Sequence, residues 1–191
     1  RRRPWKMAKE MVSLDDLSKG RVIVGVGLGE PAELEFGLFG EPVDGKIRAE
    51  KLKEGLEIFQ GLTRGEEVKF KGQHYTVLGT QFARPEHSPR GVPIWGAATL
   101  PALAGVARAA RLNGIFPVRA PTEWVPEDNP DIDWFNWWLT ASEFKELMSK
   151  IESLRGVDGV FDAVASARLG DYSHSKGTLK DYADAGATWW F

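Results

Sequence analysis

The chain has 191 residues, a formal net charge of -2 and a sequence pI near 6.0, with 42% hydrophobic and 27% charged residues. That balance suits a single soluble domain with a buried core and excludes disorder by composition. It also argues against nucleic acid as a partner, because the basic cluster Arg1, Arg2, Arg3 and Lys6 is local and soon followed by Asp15, Asp16, Glu30, Glu33 and Glu35. The absence of cysteine excludes disulfides, thiolate metal sites and a cysteine nucleophile. Three scattered histidines, His74, His87 and His174, speak against a histidine metal centre. The longest apolar run, Val22 to Leu28, is too short to span a bilayer. Arg1 to Lys6 lacks the apolar stretch that would make it a signal, so a cytoplasmic protein without membrane contact is expected.

The first helix is predicted from Pro4, with Met7, Met11, Leu14 and Leu17 as its apolar stripe and Gly20 as its terminator. A buried strand follows over 21–26, then a glycine-rich stretch. A second helix is predicted near Lys46 to Leu62, with Leu52, Leu56, Phe59 and Leu62 on its stripe and Glu50, Lys53, Glu54 and Glu57 outside it. Val68 to Val77 alternates around Lys71-Gly72-Gln73 and reads as a hairpin inserted into the main architecture. Strand 92–97 comes next, then a helix to Leu112 that Thr99 is expected to cap, with Pro101 in its first turn. A third strand over 114–118 leads into a Pro-, Asp- and Trp-rich loop over 119–139. Thr140-Ala141-Ser142-Glu143 is a capping box and opens the next amphipathic helix. Strand 160–165, a short helix capped by Thr178 and strand 187–191 complete the pattern.

Strands alternating with amphipathic helices imply a parallel α/β sheet. Five such strands suit either a small doubly wound, flavodoxin-like sheet or five eighths of a barrel, and periodicity does not choose between them.

Several segments together resemble one family. Arg2-Arg3-Pro4-Trp5-Lys6-Met7-Ala8-Lys9-Glu10, Leu14-Asp15-Asp16-Leu17-Ser18-Lys19-Gly20-Arg21 and Gly25-Val26-Gly27-Leu28-Gly29 are similar to the luciferase-like monooxygenases. So are 48–56, 70–75, 92–96 and 184–190. The resemblance implies flavin- or F420-dependent oxidoreductase chemistry on a small molecule, with FMN and F420 both open. It also implies a (β/α)8 TIM barrel, of which this chain carries strands four to eight plus the hairpin, as a single incomplete domain over 1–191. About 80–90 residues of an ordinary barrel are unaccounted for. The edges at 22–26 and 187–191 are apolar, so the missing barrel segment or a second copy is the expected partner.

Gly25-Val26-Gly27-Leu28-Gly29 lacks the dinucleotide spacing, which leaves a plain strand-to-loop turn as the reading from residues alone. The resemblance implies that Gly27 and Gly29 lie at the barrel's carboxyl end, where the cofactor ring approaches bare backbone. Some family members carry a phosphate-binding arginine at the position of Leu28, and leucine cannot replace it. Gly96, Ala97, Ala98 and Thr99 form the second candidate cofactor site, pictured as a strand end running into a helix start. Trp137, in the Trp-rich loop with Trp124, Trp134, Phe135 and Trp138, is a candidate substrate wall. Trp190 is another, because only one of Trp189 and Trp190 can face the barrel interior. Asp128, Asp131 and Asp133 make a poor calcium loop, lacking the turn glycine and the terminal Glu. His74 is expected to lie away from the site. His174 and Arg168 are better placed, although solvated roles suit both. No catalytic residue is assigned. The competing reading is a non-catalytic barrel fragment that acts only by association.

Overall fold

A computed structural model describes residues 2–119, 138–156, 159–166 and 177–191. The chain forms two compact units, Arg1–Pro93 and Ile94–Phe191. Among the described residues no helix is long and apolar enough to cross a membrane.

In the first unit, α1 (Pro4–Ser18) starts with proline at its first position and ends in a left-handed Lys19. Its buried residues are Pro4, Ala8 and Asp15, whereas Leu14 and Leu17 of the expected stripe are 48% and 82% exposed. At the start of α1 the contact with α3 is close, with Pro4 Cγ 3.3 Å from the position a Cβ on Gly55 would take. The strand β1 (Val24–Val26) is shorter than predicted, and the Val24 N–H donates to the Pro93 carbonyl. The glycine-rich stretch holds a short helix, α2 (Ala32–Glu35), and a 3-10 turn over Gly37–Phe39.

Helix α3 (Gly45–Thr63) is capped by Asp44, whose side chain accepts from the Ile47 N–H at 2.9 Å. It buries Leu56, Ile58, Phe59 and Leu62 as its pattern requires. Strands β2 (Val68–Lys71) and β3 (Thr76–Thr80) pair antiparallel as a separate two-stranded sheet, the expected hairpin.

In the second unit, β4 (Ile94–Leu100), β5 (Gly114–Arg119), β6 (Asp162–Ala165) and β7 (Trp189–Trp190) form a parallel sheet in chain order. Helices α4 (Leu103–Ala109), α5 (Ala141–Leu154) and α6 (Leu179–Asp184) alternate with them. The predicted capping box at Thr140 with Glu143 is present, and the predicted cap at Thr178 forms a second box with Asp181. One sheet face packs Ala98, Ile115, Ala163 and Ala165 against Val106, Phe144, Leu147, Ile151 and Tyr182 of the helices. The alternate residues of the same strands, among them Trp95, Phe116, Asp162 and Trp189, occupy the opposite face.

The predicted cap at Thr99 does not form. Strand β4 continues through Thr99, which pairs with Val118, and α4 starts only at Leu103 with no side-chain cap. Parallel pairing with β5 captures these residues as strand because β5 runs alongside to Arg119.

Gly96 lies under α4, and a Cβ there would come within 2.8 Å of the Ala109 Cβ and 3.0 Å of its Cα. Because backbone stands in the way, Gly96→Ala is expected to destabilise the protein by about 1–3 kcal/mol, the usual range for overpacking. A shift of the urea unfolding midpoint at unchanged slope checks this.

Candidate functional site

Arg48, in the second turn of α3, is the organising side chain of the first unit. It is 8% exposed, yet its charge is not isolated. Its Nε donates to the Val43 carbonyl at 3.1 Å, and its Nη1 donates to the Leu28 carbonyl at 3.1 Å and to that of Gly29. Its Nη2 pairs with Glu30 Oε1 at 3.0 Å, and the guanidinium lies over the Phe36 ring at 5.4 Å. The planar fork of arginine can satisfy several carbonyls at once, which a lysine ammonium on a flexible stem does less well. The chain leaving β1 is therefore held in place from one side chain. Gly29 completes the bend with φ +81°, and a Cβ there would meet Phe36 at 2.7 Å.

Val24 and Val26 of β1 line a cavity of about 490 Å³ enclosed by α1, α3 and the hairpin, together with Gly27 and Leu28. Gly25 alternates to the other face, where an added Cβ would meet nothing within 4 Å. Backbone alone forms that face.

The hairpin is fastened to α3 by two carboxylates. Glu54 accepts from the backbone N–H groups of Gln73 at 2.7 Å, His74 at 2.9 Å and Tyr75 at 3.0 Å. Burial works to raise its pKa, but the three N–H donors and the nearby His74 outweigh that and hold the carboxyl below its ordinary value. Glu50 Oε2 meets His74 Nε2 at 3.1 Å. His74, expected in the hairpin in a structural or exposed role, is largely buried against Glu50 and lines the cavity. The signal for this clasp was Glu50 and Glu54 at i, i+4 on one helix edge, which reads equally well as a solvated face.

In the second unit, Gly96 and Ala98 are buried under α4, while Ala97 and Thr99 alternate to the other face. The strand-to-helix junction pictured for these four residues is absent, so the anion-site geometry expected of them does not exist. Trp190 is also corrected. It packs on Tyr182 at 5.2 Å on the helix-covered face, and Trp189 takes the opposite one. There Asp162 joins two indoles, accepting from Trp95 Nε1 at 3.1 Å and from Trp189 Nε1 at 3.0 Å. Spacing alone left the two tryptophans equivalent, and the packing of α6 distinguishes them. Arg119, at the end of β5, is tied to Glu143 of the α5 cap at 2.6 Å. Trp137, the other aromatic and acidic residues of 120–137, Arg168 and His174 lie outside the described residues. Among the described residues no cluster of His, Asp or Glu could hold a metal ion.

The profile of the luciferase-like monooxygenases matches residues 1–123, well over half of the chain. The chain belongs to the luciferase-like monooxygenase family. An F420-dependent glucose-6-phosphate dehydrogenase of Nocardia farcinica (strain IFM 10152) is 37% identical over 109 residues, 56% of this chain and 32% of that protein. The corresponding enzyme of Mycobacterium avium (strain 104) is 34% identical over 108 residues, 56% of this chain and 32% of that protein. The matched stretch thus spans about a third of these relatives. Among solved structures, an F420-dependent secondary alcohol dehydrogenase in complex with an F420-acetone adduct superposes with TM-score 0.60 at 20% identity. That superposition covers 87% of this chain and 45% of the other. The monooxygenase RslO1 from Streptomyces bottropensis gives TM-score 0.56 at 24% identity, covering 88% of this chain and 48% of the other. The fold is therefore the partial TIM barrel of this family, rather than an independent flavodoxin-like sheet.

Arg48→Met leaves the Leu28 and Gly29 carbonyls without their donor. A loss of about 2–4 kcal/mol is expected, with faster amide exchange concentrated in 28–36, as measured by hydrogen exchange. Because Glu54 has its pKa lowered by folding, its stabilising contribution is full above the ordinary glutamate value and is lost as pH falls below about 4. Glu54→Gln is expected to flatten that acid limb in a series of thermal melts, while Glu57→Gln, at an exposed position of α3, leaves it unchanged.

Proposed function

We propose that the chain is part of an F420-dependent oxidoreductase barrel acting on a small organic molecule. One structural observation carries the reading: the face of β1 at Gly25 is bare backbone with open space before it, followed by exposed Gly27. A planar ring system fits against such a face, whereas any larger side chain at Gly25 would occupy it. The preference for F420 over FMN rests on the relatives, whose names specify F420.

When bound, F420 supplies a hydride-transfer centre at its deazaflavin carbon. The protein's share is to hold the ring flat and keep its edge ordered. Arg48 does this at second hand: by fixing the Leu28 and Gly29 carbonyls it sets the course of the chain beyond Gly27. Gly29 is a positioning residue here, since its missing side chain makes room for Phe36. Trp137 keeps its place as a proposed substrate contact, while Trp190 does not, for it packs on the helices. The reading places the protein in the cytoplasm.

A second reading is favoured by coverage alone. The chain corresponds to 45% and 48% of the two barrels it superposes on, so it is proposed to need a polypeptide carrying the remaining strands, or a second copy, for activity.

Titration of the chain with F420, followed by deazaflavin fluorescence, is expected to saturate, with FMN at least about tenfold weaker, a difference of roughly 1.4 kcal/mol. Gly25→Val suits a strand and should fold normally, yet it is expected to weaken F420 by about tenfold or more. Absence of saturable binding, both alone and with a segment supplying the remaining strands, would overturn the F420 reading. Unaltered binding by Gly25→Val would overturn the placement of the ring.

A further inference from the structure

The cavity of the first unit lies on the Val24 and Val26 side of β1, whereas Gly25 faces the other way; Gly27 and Leu28 belong to its lining. Its volume of about 490 Å³ lies in the range of small-molecule sites, about 300–1,000 Å³. Its lining has an uneven chemistry. Arg3, Trp5, Tyr75 and Thr76 carry hydrogen-bond donors that find no hydrogen-bond or ion-pair partner among the described residues. The cavity's single carboxylate, Glu41, is already held by Lys51 at 3.0 Å. That hydrogen bond and charge keep Glu41 below its ordinary pKa, so it stays ionised and paired. The one fixed positive charge among those donor side chains, on Arg3, with hydroxyls beside it that can donate, suits a ligand carrying an anionic group.

The apolar part of the lining combines aliphatic side chains with the aromatic rings of Trp5, Phe36, Phe59 and Tyr75. Trp5 and Tyr75 stand edge to face with ring centroids 6.2 Å apart, and the Arg3 guanidinium lies 5.6 Å from the Trp5 ring. The Glu54 clasp, together with the His74–Glu50 contact, fixes the hairpin that brings Tyr75 and Thr76 to this wall. The wall is therefore held in place before any ligand arrives, which limits the ordering cost of binding.

We propose that this cavity is a binding site for a small organic anion, a phosphate monoester or a carboxylate with a planar apolar body. The planar body packs against Trp5 and Tyr75, and the anionic group is met by Arg3 with the Tyr75 and Thr76 hydroxyls. Such a site adjoins the proposed F420 face at Gly27 and, resting on that reading, would serve as an effector or second-ligand site of the barrel.

The test is calorimetric titration of the full chain with 2-naphthyl phosphate, 2-naphthol and inorganic phosphate in parallel. Naphthyl phosphate is expected to bind most tightly, with each half alone at least about tenfold weaker. Arg3 is exposed, so Arg3→Gln should fold normally and is expected to weaken naphthyl phosphate roughly five- to tenfold without changing 2-naphthol. Tyr75→Phe, which keeps the ring, separates the hydroxyl from the packing and is expected to cost a few-fold. Arg111→Gln, an exposed arginine in the second unit, serves as the charge control and should have no effect. Naphthyl phosphate binding that Arg3→Gln and Arg111→Gln reduce equally, or no saturable binding at all, would overturn the proposal. F420 titration of Arg3→Gln keeps the two readings distinguishable, since loss of the anion site should leave F420 fluorescence changes intact.

Discussion

Arg48 sends one positive charge into a nearly closed environment, and the course of the chain from β1 to α3 depends on how that charge is satisfied. A buried guanidinium left unpaired would cost several kcal/mol, so the structure around it is constrained to supply acceptors. It does so with carbonyls from Val43, Leu28 and Gly29, with a carboxylate from the exposed Glu30, and with the face of Phe36. Each of those acceptors belongs to a stretch with little regular structure, where few backbone groups are fixed by a ladder or a helix. One side chain anchored on α3 thereby replaces the missing secondary structure. The glycines of the stretch keep the backbone free to come within reach.

The same economy recurs at the hairpin. A two-stranded sheet is marginal by itself in water. Here Glu54 gathers three consecutive backbone N–H groups at the turn, and Glu50 holds the His74 ring. Both acids rise from α3, so one helix fixes the loop after β1 at its beginning and the hairpin along its middle. The cavity between them owes its shape to these two polar fastenings and to the close α1–α3 contact at Pro4 and Gly55.

The second unit works by steric fit. Gly96 lets α4 approach β4, Ala98 meets Gly105, and the larger Ile115, Phe144 and Tyr182 fill the remaining layer. Tyr182 also reaches the Leu139 carbonyl at 2.5 Å, which ties α6 to the chain entering α5. On the opposite face a single carboxylate, Asp162, receives two indole N–H groups from β4 and β7, linking strands that do not pair directly. The two faces of one sheet are thus specialised, one by volume and one by hydrogen bonding.

Much of this was legible in the residues. The alternation of strands and helices, the stripe of α3, the hairpin, the capping box at Thr140 and the cap at Thr178 follow from local rules: a period of 3.6 or 2, and a Thr at the helix start. The family resemblance, carried by short segments such as 25–29 and 92–96, pointed to the barrel that the structural comparisons show. Tertiary structure decided the rest. Packing of α1 put Ala8 and Asp15 inward and left Leu14 and Leu17 outside. Whether 97–99 formed a helix start or strand depended on β5 running beside them. Which of two adjacent tryptophans faced the helices depended on where Tyr182 stood. The roles of Arg48, Glu50 and Glu54 were likewise invisible, because a charged residue on a helix reads as solvated until its partners, about 19 to 24 positions away in sequence, are brought against it. Local patterning specifies elements; the partners of each face are set only when the elements pack.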